Sequence, residues 1–144
     1  MNELNEIENT NALLVGVDTG ASGSSGIERS LDELEDLAKT NGFHVLGRVV
    51  QKLERIDGAT FVGTGKLTEI AEMAEDMEAE YLIFNGALTP AQTRNIKETI
   101  DFKVSDRVNV ILSIFADRAR TDEGKIQVEL AWLRYQLTQL TGRG

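Results

Sequence analysis

The 144-residue sequence contains no cysteine, a single proline and a single histidine, His44. The lack of cysteine excludes disulfides and thiolate sites for metals or nucleophilic catalysis, and it suits a reducing cytosol. One histidine excludes metal sites built on several imidazoles, and the place of His44 in a predicted strand favours a structural role. No apolar run is long enough to span a bilayer, and the acidic start MNELNEIENT is unlike a signal peptide. We therefore expect a cytoplasmic protein.

A complete nucleotide loop is also missing. Residues 60–70, TFVGTGKLTEI, bring Gly65 and Lys66 together as a phosphate loop does. Such a loop needs a first glycine where Thr60 stands and a hydroxyl where Leu67 stands. The segment TGASGSSG spaces its glycines G-x-x-G-x-x-G, which differs from the dinucleotide pattern. A helix start is the better interpretation of the first segment, although free amides there could still attract an anion.

Positive charge is scarce in the first two thirds of the chain. The net charge is -9, but residues 101–144 carry 6 acidic and 7 basic side chains. Residues 1–100 carry 18 acidic and 8 basic side chains, which argues against general nucleic-acid affinity there. Any contact with RNA is therefore expected in the C-terminal third.

The pattern of apolar residues predicts an α/β fold with a small parallel sheet flanked by helices. The predicted strands are residues 12–17, 43–51, 81–85 and 102–104, with a possible bulge at Gly47. Between them we expect helices that are capped by Ser25 with Glu28, by Thr64, and by Thr89 with Pro90 and Gln92. The predicted inner faces are Ile27, Leu31, Leu34 and Leu37 for the first helix, and Leu67, Ile70, Met73, Ala74 and Met77 for the second.

From Asp106 onward the sequence predicts helices alone. The first helix has a predicted apolar face, and residues 117–124 form a polar break in which Thr121 caps the next helix. The predicted face consists of Val108, Ile111, Leu112 and Phe115. In the next helix five residues recur with heptad spacing, which we call the C-terminal seam: Ile126, Leu130, Leu133, Leu137 and Leu140. A second stripe, Val128, Trp132 and Tyr135, lies on roughly the opposite side, since two residues turn a helix by about 200 degrees. One stripe can pack on the fold, and the other needs a partner.

Three segments together resemble a known family. FVGTGKLTEI, IFNGALTPAQTRNI and above all DRVNVILSIFADRARTDEGKIQVELAWLRYQL resemble the N-terminal region of HflX-type ribosome-associated GTPases, from residue 12 almost to the end. The resemblance implies an α/β subdomain at 1–104 and a helical subdomain at 105–144, the first part of a long helical hairpin. In the family a GTPase domain follows, which would hold GTP and Mg²⁺. Its D-x-x-G and N-K-x-D motifs are absent here, so we expect that domain to lie outside this chain.

The resemblance also implies a function. Family members bind the large ribosomal subunit and split stalled ribosomes under stress, so this chain would be a ribosome-binding and regulatory domain rather than a catalyst. The matching basic segment gives the candidate rRNA contacts Arg107, Arg118, Arg120, Lys125 and Arg134. Neighbouring acids, Asp117, Asp122, Glu123 and Glu129, could instead form ion pairs with them.

Two alternatives remain open at the level of sequence. The chain could be an independent ATP-binding or RNA-remodelling domain, with Asp18, Gly65, Lys66 and Asn85 near the carboxyl ends of the strands. The C-terminal seam could also join two copies of the chain in a homodimer.

Overall fold

The computed structural model describes residues 8–21, 23, 25–118 and 122–141. Four parallel strands form one sheet in the order β2-β1-β3-β4. The strands are β1 Asn11–Asp18, β2 His44–Lys52, β3 Tyr81–Phe84 and β4 Lys103–Asp106. The helices are α1 Gly26–Thr40, α2 Thr64–Asp76, α3 Pro90–Thr99, α4 Arg107–Arg118 and α5 Asp122–Thr141. The predicted α/β fold with a parallel sheet and a C-terminal helical segment is thus confirmed.

Strand β1 lies in the middle of the molecule because both of its faces are apolar. Its alternate residues Leu13 and Val15 join a core with α2 and α3, whereas Ala12 and Leu14 join a second core with α1 and α4. Helices on both sides are what a parallel sheet requires, since each crossover connection covers one face. The division predicted after residue 104 falls inside β4, and α4 packs on the sheet through Val110.

The edge strand β2 contains the predicted irregularity. Ala12 pairs with Val45 but Leu13 pairs with Gly47, so Leu46 is an extra residue on β2. This confirms the bulge expected at Gly47.

Of the three helix caps predicted from the sequence, only the one at Thr89 is confirmed. Thr89 and Gln92 form a complete capping box in front of Pro90. Ser25 makes no capping hydrogen bond, and its ψ of 5° lies outside the extended region that a cap adopts, so that prediction was wrong. The prediction of Thr64 as a cap was also wrong. The preceding Gly63 occupies the cap position with extended geometry, and Thr64 is already helical.

Two predicted helix faces need correction. On α2, Leu67, Ile70 and Ala74 are buried as expected, but Met73 and Met77 are exposed, with Met77 extending toward Gly47 on the edge strand. On α4 the buried residues are Val110, Ser113, Ile114 and Ala116, whereas Phe115 is exposed. The α4 face differs because this helix is covered on two sides, by α1 with the sheet and by α5. The predicted face of α1 is confirmed, and Gly42 ends that helix region with a φ of +105°. The predicted cap Thr121 lies outside the described residues.

Arg48 on β2 forms ion pairs with α1, and we expect its replacement to lower the stability of the fold measurably. Its guanidinium lies 2.9 Å from Asp32, 2.8 Å from Glu35 and 3.3 Å from Glu28. Hydrogen bonds from Lys39 and then Arg48 lower the pKa of Glu35. We expect Arg48→Met to lower the free energy of unfolding by about 1 kcal/mol, because the pairs are only partly shielded from water. Urea denaturation measures this, with the exposed Arg55→Met as the matched control; equal midpoints for both variants would contradict the prediction.

Within the described part of the chain, no helix combines the length and apolar character needed to cross a membrane.

Candidate functional site

Helix α5 has two very different faces. Trp132 is 3% exposed and lies on the inner stripe, and Val128 and Tyr135 are half-buried there. The five residues of the C-terminal seam face outward and are 43% to 75% exposed. The structure thus confirms that one stripe packs on the fold, and the described residues of the seam are exposed. An exposed apolar stripe of this length is typical of an interaction surface.

The C-terminal half of α5 is joined to the α/β layer by polar contacts. Tyr135 donates its hydroxyl hydrogen to the Oδ2 atom of Asp106 at the end of β4. Gln139 donates to the carbonyl oxygen of Leu88 at 2.8 Å and accepts from the hydroxyl of Thr93. Side chains from α5 therefore reach both β4 and the start of α3.

Asp106 is the most connected residue of this junction. It is 2% exposed, and besides Tyr135 it accepts the backbone N–H groups of Leu88 and Asn109, each at 2.8 Å. The bond from Asn109 caps α4 in the manner of an N-cap aspartate. Burial raises the pKa of the Asp106 carboxyl, against the opposing effect of these hydrogen bonds. Burial and the nearby Asp106 charge also raise the pKa of Tyr135.

A small cavity of about 160 Å³ remains beside this junction. Its polar lining includes Asp106, Tyr135 and Gln139, together with Lys97 from α3 and Asn109 from α4. The contact between α5 and the α/β layer is thus largely polar and incompletely packed here, whereas Trp132 is almost fully buried.

The structure separates the predicted rRNA contacts into two groups. Lys125 and Arg134 lie exposed on α5, and neither forms an ion pair with a residue that the structure describes. The alternative of surface ion pairs with Glu123 or Glu129 is therefore not seen for these two cations. Arg120 lies outside the described residues, and the side chain of Arg118 is not described.

Arg107 is placed elsewhere, at the carboxyl edge of the sheet. Its guanidinium donates to Asn85 at 3.0 Å and to the Ser30 carbonyl oxygen at 3.2 Å, and it lies 3.7 Å from Glu33. An arginine with three internal partners has fewer donors left for phosphate than an unpaired one. Arg107 therefore resembles a structural residue between β3, α1 and α4 more than an external contact.

The residues proposed for a nucleotide are only partly brought together. Asp18 and Asn85 line one cleft of about 140 Å³ between the ends of β1 and β3, where the strand order reverses. In this cleft Asp18 accepts the backbone N–H of Gly20, and Asn85 bonds Ser30 and Arg107. Gly65 and Lys66 lie in the first turn of α2, do not line this cleft, and Lys66 is 3.8 Å from Glu69.

No group of metal-binding side chains occurs among the residues of known placement. The sequence signal for Asp106 was its position before a run of helical residues, which is typical of a cap. Its second partner, Tyr135, is 29 residues away, and no local pattern indicates that contact.

Comparison with known proteins gives a consistent result. Residues 28–116 match the family model described as GTP-binding GTPase N-terminal. A GTPase HflX from Lacrimispora saccharolytica is 47% identical over 97% of this chain and 32% of its own length. A GTPase HflX from Escherichia coli is 44% identical over 76% of this chain and 26% of its own length. The chain thus spans about a third of the length of the curated relatives that it matches.

Solved structures share the fold. A mutation variant of the protein SsGBP is 26% identical with a TM-score of 0.68, over 92% of this chain and 40% of that one. A GTP-binding protein from Sulfolobus solfataricus, solved in complex with GDP, is 24% identical with a TM-score of 0.63, over 92% of this chain and 38% of that one. At this level of identity the second likeness shows the fold alone.

Proposed function

The chain belongs to the HflX GTPase family and corresponds to its GTP-binding GTPase N-terminal domain, and from this premise we propose that it is a docking and regulatory module for the large ribosomal subunit. In this proposal the α/β subdomain extends through β4 to Asp106, and the helical subdomain begins at Arg107. A GTPase domain outside this chain supplies the hydrolysis of GTP with Mg²⁺, and the whole protein acts in the cytoplasm in ribosome splitting under stress.

The observation that carries the proposal is the exposed part of α5. This helix combines the exposed apolar seam with Lys125 and Arg134, two exposed cations elsewhere around the helix that no described acid neutralises. Lysine and arginine without internal partners are free to bind phosphates of rRNA, and arginine can also stack on bases. Helices α1 and α2 instead carry many acidic residues, which phosphate would repel. Helix α5 carries three acidic and two basic residues, whereas α1 carries five and two and α2 four and one, so of these helices α5 is the one that phosphate would repel least.

Reversal of the two cations tests the proposal. We expect Lys125→Glu/Arg134→Glu to weaken binding to purified large subunits by at least tenfold at physiological salt, because two phosphate contacts are replaced by repulsion. Co-sedimentation at increasing protein concentration measures the dissociation constant. The matched control is Lys52→Glu/Arg55→Glu, which makes the same charge change at two exposed positions, the last residue of β2 and a residue just beyond it. Equal weakening by both double variants would mean that only net charge matters, and unchanged binding of the first would reject α5 as the contact.

The C-terminal seam also needs an apolar partner. We propose that in the full-length protein a second hairpin helix covers it, and that in the 144-residue chain alone a second copy takes that place as a homodimer. Leu137→Glu puts a charge in the seam and should shift the chain to a monomer, as measured by multi-angle light scattering across concentration. Ile56→Glu, a similar change at a residue 42% exposed outside α5, should leave the assembly unaltered. A wild-type chain that stays monomeric at high concentration would contradict the self-association.

The cleft at Asp18 and Asn85 gives less support to a nucleotide function. Its polar groups already bond one another, and Gly65 and Lys66 lie outside it. We expect calorimetry with ATP and GTP to give no binding heat for this chain at millimolar nucleotide. Saturable heat that is lost in Asn85→Ala would instead favour the ATP-binding alternative.

A further inference from the structure

The inner face of α5 changes character along its length. In its first half Val128 is half-buried, and at its middle Trp132 is 3% exposed. Beyond them, the contact is made by the polar side chains Tyr135, Gln136 and Gln139 above the cavity of about 160 Å³. Polar groups can exchange their partners for water at low net cost, whereas apolar groups cannot. The two halves of α5 are therefore held by interactions of different strength.

The polar contacts of the C-terminal half of α5 are centred on one buried carboxylate, that of Asp106. Asp106 ends β4, caps α4 through the N–H of Asn109, accepts the N–H of Leu88 just before α3, and accepts the Tyr135 hydroxyl from α5. Gln139 adds a bond to the carbonyl oxygen of the same Leu88. One side chain and one short loop thus fix the direction of α5 against three other elements.

We propose that Asp106 and Tyr135 form a latch that sets the angle of the C-terminal half of α5, and that its release lets this half move away from the α/β layer while Trp132 stays packed. The latch is a positioning device for the α5 surface, and it does not depend on what that surface binds. Tyr135 suits the role because its ring fills part of the junction and only its hydroxyl makes the connection to Asp106. The bonds of Gln139 to Leu88 and Thr93 support the same position.

The absence of native cysteine makes a distance measurement straightforward. Spin labels on cysteines introduced at Glu72, exposed on α2, and at Leu137, 60% exposed on α5, report the separation of α5 from the body by double electron–electron resonance. The measurement is made on the 144-residue chain at low concentration. We expect one narrow distance distribution for the otherwise unaltered chain. Tyr135→Phe removes only the hydroxyl, and we expect it to broaden the distribution and add longer distances.

Two further variants distinguish loss of the Asp106–Tyr135 latch from a general effect of removing a polar group from α5. Thr138→Val also removes one hydroxyl from α5, but that hydroxyl bonds the Arg134 carbonyl oxygen of its own helix, so the distribution should stay as in the unaltered chain. Gln139→Ala should broaden it as Tyr135→Phe does. The fluorescence of Trp132, the single tryptophan, should keep its buried emission in all three variants. Unchanged distances in both Tyr135→Phe and Gln139→Ala would overturn the latch, as would a shift of Trp132 to solvent-exposed emission.

Discussion

Replacement of Asp106 by alanine is expected to lower the free energy of unfolding by about 3 kcal/mol. The change removes the cap of α4, leaves the buried Leu88 N–H without its acceptor, and breaks the hydrogen bond from the half-buried Tyr135 hydroxyl. Loss of a cap costs about 1 kcal/mol and each unsatisfied buried donor about 1–3 kcal/mol, while removal of a buried charge offsets part of the total. Urea denaturation at pH 7 measures the difference, and Asp101→Ala, at an exposed position just before β4, is the matched control.

The effect of Asp106 should also depend on pH in a defined direction. Burial raises the pKa of this carboxyl in the folded chain above its unfolded value. As the pH falls through the folded pKa, the folded chain binds a proton that the unfolded chain does not yet bind, so this site stabilises the fold increasingly until the unfolded pKa is reached. Lys97 and Tyr135 also line the cavity beside this carboxyl. The stability difference between the unaltered chain and Asp106→Ala should therefore grow from pH 7 to pH 4. A difference that shrinks over this range would show that the hydrogen bonds, rather than burial, dominate the site.

Replacement of Phe61 by alanine is expected to lower the free energy of unfolding by about 3–5 kcal/mol. The side chain is 1% exposed, meets the ring of Phe84 edge to face at 5.4 Å, and covers Gly86, where an added Cβ would lie 3.3 Å from its ring. Alanine would leave a cavity between α2, α3 and the sheet. Phe61 has a φ of +67°, and alanine keeps the Cβ atom that makes this conformation unfavourable, so no relief of backbone strain offsets the loss.

Phe115→Ala is the matched control for this prediction, since Phe115 is 57% exposed on α4. It should change the free energy of unfolding by less than about 0.5 kcal/mol. Thermal or urea denaturation followed by Trp132 fluorescence compares the two. Similar losses for Phe61→Ala and Phe115→Ala would mean that Phe61 does not occupy the core as described.

The parallel sheet was predictable because its strands are short apolar runs between helices, and the capping box at Thr89 was predictable because its residue pattern is nearly complete. The caps at Ser25 and Thr64 were wrong because a hydroxyl residue near a helix start does not fix the backbone geometry that a cap needs. The face of α4 was wrong because periodicity assumes one neighbour, and this helix has two.

The candidate site was predictable in part. Periodicity along α5 was enough to identify the seam and the opposite stripe, since both depend only on local spacing. The placement of Arg107 beside Asn85 could not be predicted, because it depends on β3 and α4 meeting at the edge of the sheet. The contact between Asp106 and Tyr135 could not be predicted either, because it depends on the fold bringing α5 to the end of β4.

The proposed docking on the large ribosomal subunit through phosphate contacts is best examined by co-sedimentation of the unmodified chain with purified large and small subunits across a salt series. We expect saturable binding to the large subunit that weakens steadily as salt rises, with much weaker binding to the small subunit. Absence of binding to the large subunit at low salt, or equal binding to both subunits, would contradict it.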